Sequence, residues 1–332
     1  MKTQPVRLPP YRVERVLVAL SESVDWGLLN FGIPDHWRET RGQGIRVAIL
    51  DTGIEQRHPD LQQAIDDTHD FTGSGDLDRA GHGTHVAGII GARHNDLGVV
   101  GVAPECRLLV GKVLGDDGSG RDDHVAAGID WACDLGADVI SMSLGSPQPS
   151  VTIAAAIARA ASKNRFIICA AGNSGRDNSV DYPARLPDTV AVGAVDRHGR
   201  VARFSSRGNE VDICGPGEDI LSTYLNGGYA RLSGTSMAAP FVSGVVALML
   251  AKHRAHGGRS PVETNRQLIE HLQRTANDAG VMGPDPSYGY GLIDPGRVLE
   301  SQQPLPAASE FRIGPLHVNG VAGCLVFVPQ ES

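Results

Sequence analysis

Short, nearly continuous apolar runs recur along the chain at Ile45–Leu50, Leu108–Leu114, Asp138–Leu144, Phe166–Ala171 and Thr189–Val195. Gly and turn residues flank them, the pattern of strands buried on both faces. Amphipathic stretches at Asp123–Leu135 and Thr152–Lys163 fall between them. A long apolar stretch, Met237–Lys252, reads as a buried helix, and Pro261–Ala276 as a further helix with Pro261 suited to its first turn. Alternation of this kind predicts the α/β class: a parallel β-sheet with helices on both faces. Residues 1–20 and 301–332 do not continue it, so they read as an arm and an extension around one domain, 21–300.

Composition narrows the classes. With 332 residues, 41% of them hydrophobic, the chain can bury a large core and is not disordered. A net charge of −8 argues against a general nucleic-acid binder, which needs a basic face to displace counterions. Val16–Leu20 is too short for a signal-peptide core, and no run approaches the ~20 apolar residues of a membrane span. The five cysteines, Cys106, Cys133, Cys169, Cys214 and Cys324, are odd in number and lack a pairing pattern. Reduced, mostly buried thiols in the cytoplasm are the expectation, with no membrane or nucleic-acid partner.

Sites in open parallel sheets form at the carboxyl ends of strands. There the chain carries Asp51-Thr52-Gly53, Gly145, and Gly172-Asn173. Two more segments hold chemistry: GHGTHVAG, with His82 just before a helical run, and SGTSMAAP, with Ser236 opening the buried helix. Singly, Asp51 reads equally well as a turn residue, His82 as a helix cap and Ser236 as an N-cap. Jointly, in the order Asp, His, Ser, they supply a carboxylate, a base and a nucleophile, which a poorly nucleophilic hydroxyl requires. His85 makes His-x-x-His with His82, but no acid at a familiar ligand spacing accompanies it, so it reads as a packed helix residue.

With AILDTG, GHGTHVAG and SGTSMAAP in this order, residues of roughly 20–300 resemble the subtilisin-family serine proteases, most of all the intracellular ones of bacteria. The resemblance implies a three-layer subtilisin-like fold and a serine endopeptidase acting through an acyl-enzyme on Ser236. His82 would be the base, Asp51 its orienting partner, and Asn173 in AAGNSG the side-chain donor of the oxyanion hole. It implies protein and peptide substrates held between Gly118-Ser119-Gly120 and Ser143-Leu144-Gly145, with Asp181, before Tyr182-Pro183, at the floor of the first specificity pocket. With Asp122 and Asp123 nearby, an acidic cleft that accepts Lys or Arg beside the scissile bond is expected.

NDLGVVGVAP resembles the family's calcium loop. The implied Ca2+ ligands are the carbonyls of Arg93, Leu97 and Val99, the Asn95 side chain, Asp60 in HPDL, and Glu22; a weaker site near Ala184–Thr189 is poorly specified. The arm's Leu8-Pro9-Pro10-Tyr11 resembles the short pro-segment of the intracellular members, implying an enzyme held latent by its own arm until cleavage near residues 17–22. Homodimers are implied as well, and the apolar tail Phe311–Val328 either adds strands or covers a partner subunit. Two other readings compete: an inert peptide-binding scaffold of the same fold, and a thiol hydrolase using Cys169 or Cys214, which lacks a motif-placed histidine.

Overall fold

The computed structural model describes residues 3–17, 21–255, 257 and 262–300, for 14–17 the backbone alone. The extension 301–332 and the predicted helix start at Pro261 lie outside these residues. Among them the elements run β1 (Pro5–Arg7), β2 (Arg12–Leu17), α1 (Trp26–Asn30), α2 (Ile33–His36), β3 (Arg46–Asp51), β4 (Ile65–Asp70), α3 (His82–Gly91), β5 (Arg107–Lys112), β6 (Ser119–Arg121), α4 (Asp122–Asp134) and β7 (Val139–Met142). There follow α5 (Val151–Ser162), β8 (Phe166–Ala170), β9 (Val190–Val195), β10 (Ile213–Pro216), β11 (Ile220–Tyr224), β12 (Gly228–Ser233), α6 (Thr235–Ala255), α7 (Asn265–Thr275) and α8 (Pro295–Leu299).

The large sheet is parallel throughout, in the order β10-β9-β8-β7-β3-β5-β4. Its five inner strands are the five apolar runs of the sequence. Side chains alternate across it: Val47 and Ile49 of β3 join a core with α3, α6 and α7, whereas Ala48 and Leu50 join a second core with α4 and α5. Two apolar layers enclosing one sheet give the three-layer α/β architecture. The edge strand β4, IDDTHD, has only half-buried and exposed positions, with a register shift between Ile65 and Asp67, as an edge with one wet face permits.

Two expectations are corrected. The helix predicted over Pro261–Ala276 runs Asn265–Thr275 among the described residues, and Thr264 and Gln267 close a reciprocal capping box at its start. One run does reach membrane length: α6 has 21 residues and is apolar enough to span, but the window that qualifies is 94% buried inside the fold. It is the core helix of the domain, apolar along most of its length because sheet and helices surround it, with Lys252, His253 and Arg254 in its last turn.

The arm is built into the fold by strand addition. β1 pairs antiparallel with β6, and β2 pairs antiparallel with β12 to complete a three-stranded sheet with β11.

Candidate active site

Three chain segments converge at the carboxyl edge of the sheet. Asp51 is the last residue of β3, and its backbone carbonyl accepts the N–H groups of Val113 and Leu114 at 2.9 and 3.1 Å. His82 is the first residue of α3. Its approach depends on a glycine, because a Cβ on Gly83 would lie 2.2 Å from the Gly53 carbonyl oxygen. The His82 Nδ1–H donates to Asp51 Oδ1 at 2.8 Å, with both side chains fully buried. An ionised carboxylate can only accept, which fixes the tautomer and leaves Nε2 as the free acceptor.

Ser236 is the second residue of α6 and is fully buried. Its Oγ faces the Ser143 carbonyl at 3.4 Å rather than the imidazole, and His82 Nε2 and Asp51 Oδ2 are buried atoms without a partner. The geometry therefore departs from a preformed serine–histidine hydrogen bond. A hydroxyl at a helix N-terminus is a rotor, and rotation about χ1 changes its partner without backbone movement.

Asn173 follows β8. Its Oδ1 accepts from the Thr235 N–H at 2.9 Å and the Thr235 hydroxyl at 2.8 Å. These bonds leave its NH2 facing the cleft, where it donates to the Pro10 carbonyl at 2.8 Å. Thr235 was not singled out in the sequence, although its place next to Ser236 is the signal that marks it.

The cleft is filled by the arm. Arg7 exchanges both backbone hydrogen bonds with Gly145 (3.1 and 2.9 Å), and the Leu8 N–H donates to Gly118 at 2.9 Å. Gly118 has φ +72°, and a Cβ there would press on Leu8 Cδ1 at 3.0 Å. Val6 is only 1% exposed and joins the core that holds Leu114, Leu144 and Ile153. Past Pro10, the Tyr11 ring covers His82 with centroids 4.8 Å apart. Burial, with Tyr224, Asp51 and Asp78 adding to it, pushes the Tyr11 hydroxyl up to about 12. Gly118, Ser119, Gly120 and Gly145 thus contact or pair with chain in the cleft. Leu144 is buried in the core, and the Ser143 hydroxyl donates to the Ser236 carbonyl at 2.9 Å.

Asp181 lies against Gly145 and Gly172, its Oδ2 at 3.4 and 2.5 Å from the places their Cβ atoms would take. Burial pushes its carboxyl up to about 6, while Arg185 pulls the other way. Arg185 itself is paired with Glu210 at 2.7 Å. The broader acidic cleft is corrected: Asp122 is buried and accepts the Ser150 hydroxyl at 2.8 Å, and Asp123 is paired with Arg121. Neither offers a free charge to the cleft.

The calcium-loop residues also come together. Asp60 is fully buried and accepts the Val99 N–H at 2.9 Å and the Asn95 amide at 3.2 Å. The Glu22 carboxylate takes the Asn95 N–H at 3.0 Å and His94 Nδ1 at 2.6 Å, while Ser23 N–H bonds the Gly98 carbonyl at 2.7 Å. The Arg93 N–H donates to the Asp60 carbonyl at 2.9 Å, but its guanidinium turns to Pro104 and Gln63. A buried carboxylate met only by neutral donors is short of positive charge, which fits a hard cation held by oxygens. Asn95 presents its NH2 to Asp60, and its oxygen accepts the Leu97 N–H at 3.1 Å. No cluster of three or more His, Cys, Asp or Glu suited to a metal exists among the described residues.

His85 is a core residue, its Nε2 held between the Ile220 and Ala230 carbonyls at 3.1 and 3.0 Å. Cys169 and Cys214 are buried free thiols; burial pushes Cys169 up, and Cys214 up to about 12, so neither supplies a thiolate near neutral pH.

A three-layer parallel α/β fold that brings a carboxylate, an imidazole and a serine hydroxyl to one strand edge defines a subtilisin-like serine hydrolase. Residues 42–291 match the Subtilase family, so the chain belongs to that family and is a serine endopeptidase. It is 39% identical over 310 residues to the intracellular serine protease of Paenibacillus polymyxa, covering 90% of this chain and 95% of that protein. It is 42% identical over 275 residues to subtilisin BL of Lederbergia lenta, covering 82% and 98%. Against M-protease of Shouchella clausii (strain KSM-K16) the identity is 42% over 279 residues, covering 84% and 70%.

Proposed function

We propose that this endopeptidase hydrolyses peptide bonds through an acyl-enzyme on Ser236 and is held latent by residues 1–20. What carries the reading is one observation: the Asn173 amide, directed by Thr235 next to Ser236, meets the Pro10 backbone carbonyl of the chain's own arm. A substrate carbonyl taking that place has a hydrogen-bond donor where its oxyanion develops. Ser236 turns from the Ser143 carbonyl to His82 Nε2, gives up its proton and attacks the carbonyl carbon. Asp51 steadies the imidazolium, which then protonates the leaving amine; water repeats the sequence to release the acid. The Ser236 end of α6 adds a positive dipole at the developing charge.

Latency has a physical basis in the arm. Pro9 and Pro10 cannot donate to the ladder, so pairing stops at Leu8. The Pro10–Tyr11 bond meets a serine hydroxyl turned elsewhere and an imidazole roofed by Tyr11. Cleavage near residues 17–22 frees the arm. Asp181 at the floor beside Gly145 and Gly172 favours a Lys or Arg side chain entering there. Asp60, Glu22, Asn95 and the carbonyls of Arg93, Leu97 and Val99 would hold Ca2+, which when bound would supply the missing charge of that loop and tie the segment after the arm to the core. The P. polymyxa relative's description supports a cytoplasmic enzyme, and the homodimer remains part of the same reading. The inert-scaffold alternative predicts no turnover. Progress curves on a peptide substrate decide: full-length protein gives a lag that deletion of residues 1–20 abolishes, and Ser236→Ala gives no turnover. Immediate full activity overturns latency, and hydrolysis by Ser236→Ala overturns the mechanism.

A further inference from the structure

Lys112 is a charged residue that the reaction above leaves unused, yet its side chain is fully buried. It ends β5 directly beside Asp51 on β3. Its ammonium donates to the Thr52 carbonyl at 2.7 Å, the Leu77 carbonyl at 3.3 Å and Asp116 Oδ1 at 2.6 Å, so all three protons are used. Thr52 is itself a junction. Its N–H donates to Asp51 Oδ1, its hydroxyl donates to Asp78, and that hydroxyl accepts the Gly83 N–H in the first turn after His82. Asp78 in turn accepts from Gly81 and Thr84 on either side of His82.

Asp116 opens the loop that becomes the substrate edge β6. Its carboxylate also binds Arg79 at 3.2 Å, from the segment leading into His82. Lys112 holds the Asp116 carboxyl below its ordinary range. One carboxylate on the substrate-edge loop is therefore gripped by two cations, one fastened to the Asp51 segment and one to the His82 segment. Burying an ammonium is costly, and a buried cation that keeps its place needs each of its partners.

We propose that Lys112, with Asp116 and Arg79, is a positioning latch that holds the substrate-edge loop and the Asp51–His82 pair in one frame, so that a peptide paired along β6 is presented in register with the nucleophile. The inference rests on the serine-protease reading of Ser236. Its signature is a loss that depends on substrate length, because only an extended peptide uses β6.

The test compares full-chain wild type, Asp116→Asn, Arg79→Ala and Lys112→Met, each incubated to constant activity. Rates are normalised to Ser236 titrated with a fluorophosphonate. Titration of the wild type checks the protease reading separately, and the solvent-facing Asp116 and Arg79 variants stand in if Lys112→Met fails to fold. Expected is a loss of about 10-fold in kcat/KM on a peptide with four residues before the scissile bond, the scale of one hydrogen bond to a charged group. On a single-residue ester the loss stays below about 2-fold. Equal losses on both substrates, meaning simple damage to the catalytic groups, or no loss on either, overturn the latch.

Discussion

Val6 offers a way to weaken the arm without touching the domain that it covers. Its side chain is 1% exposed and seated in the core that includes Leu114, Leu144 and Ile153. Val6→Ala removes two methyl groups, worth about 0.8 kcal/mol each on burial. Loss of about 1.6 kcal/mol shifts the closed-to-open equilibrium roughly 15-fold, and the cavity left behind adds to it. The backbone bonds of Arg7 and Leu8 remain, so the arm still docks in the same register. Under the proposed latency, reagent reaches Ser236 only when the arm lifts, so the labelling rate of full-length protein by a fluorophosphonate should rise by the same factor. Protein lacking residues 1–20 supplies the ceiling rate, and Gln4→Ala, at an exposed position, serves as the control. A labelling rate unchanged by Val6→Ala would refute the reasoning, since the deepest anchor of the arm would then not govern access.

Three further outcomes follow from the geometry. Asn173→Ala should lower kcat by about 10²–10³ with little change in KM, the magnitude known from subtilisin itself; a loss seen mainly in KM would assign Asn173 to substrate binding. The Asp181 carboxyl, raised to about 6, is neutral below that pH and charged above it. The ratio of kcat/KM for Lys over Leu substrates should therefore climb as pH rises from about 5 to 7, and Asp181→Asn should flatten the climb. Removing calcium with a chelator should lower Tm in wild type and much less in Asp60→Asn; equal shifts in both would remove Asp60 from the ion site.

Much of this was legible because the apolar runs that make β3, β5, β7, β8 and β9 are buried on both faces, and the chemistry sits at their ends. The edge strand β4 was not: IDDTHD has one wet face and too many carboxylates to read as a run. β1 and β2 were hidden for another reason. They pair with β6 and β12 from far along the chain, so nothing local specifies them. The α7 start was misread, although Thr264-x-x-Gln267 already spelled the cap. Lys112 falls inside the apolar run Leu108–Leu114, and nothing local shows that its ammonium is held by Thr52, Leu77 and Asp116 from three separate segments. The orientation of the Ser236 hydroxyl follows from the side chains around it and from an occupied cleft, neither of which the motif SGTSMAAP encodes.

The most direct measurement is mass spectrometry of protein treated with diisopropyl fluorophosphonate. The account predicts one phosphoryl adduct, on Ser236, forming slowly in the full-length chain and quickly once residues 1–20 are removed, and scarcely at all in His82→Ala. An adduct elsewhere, or none after the arm is gone, would contradict it.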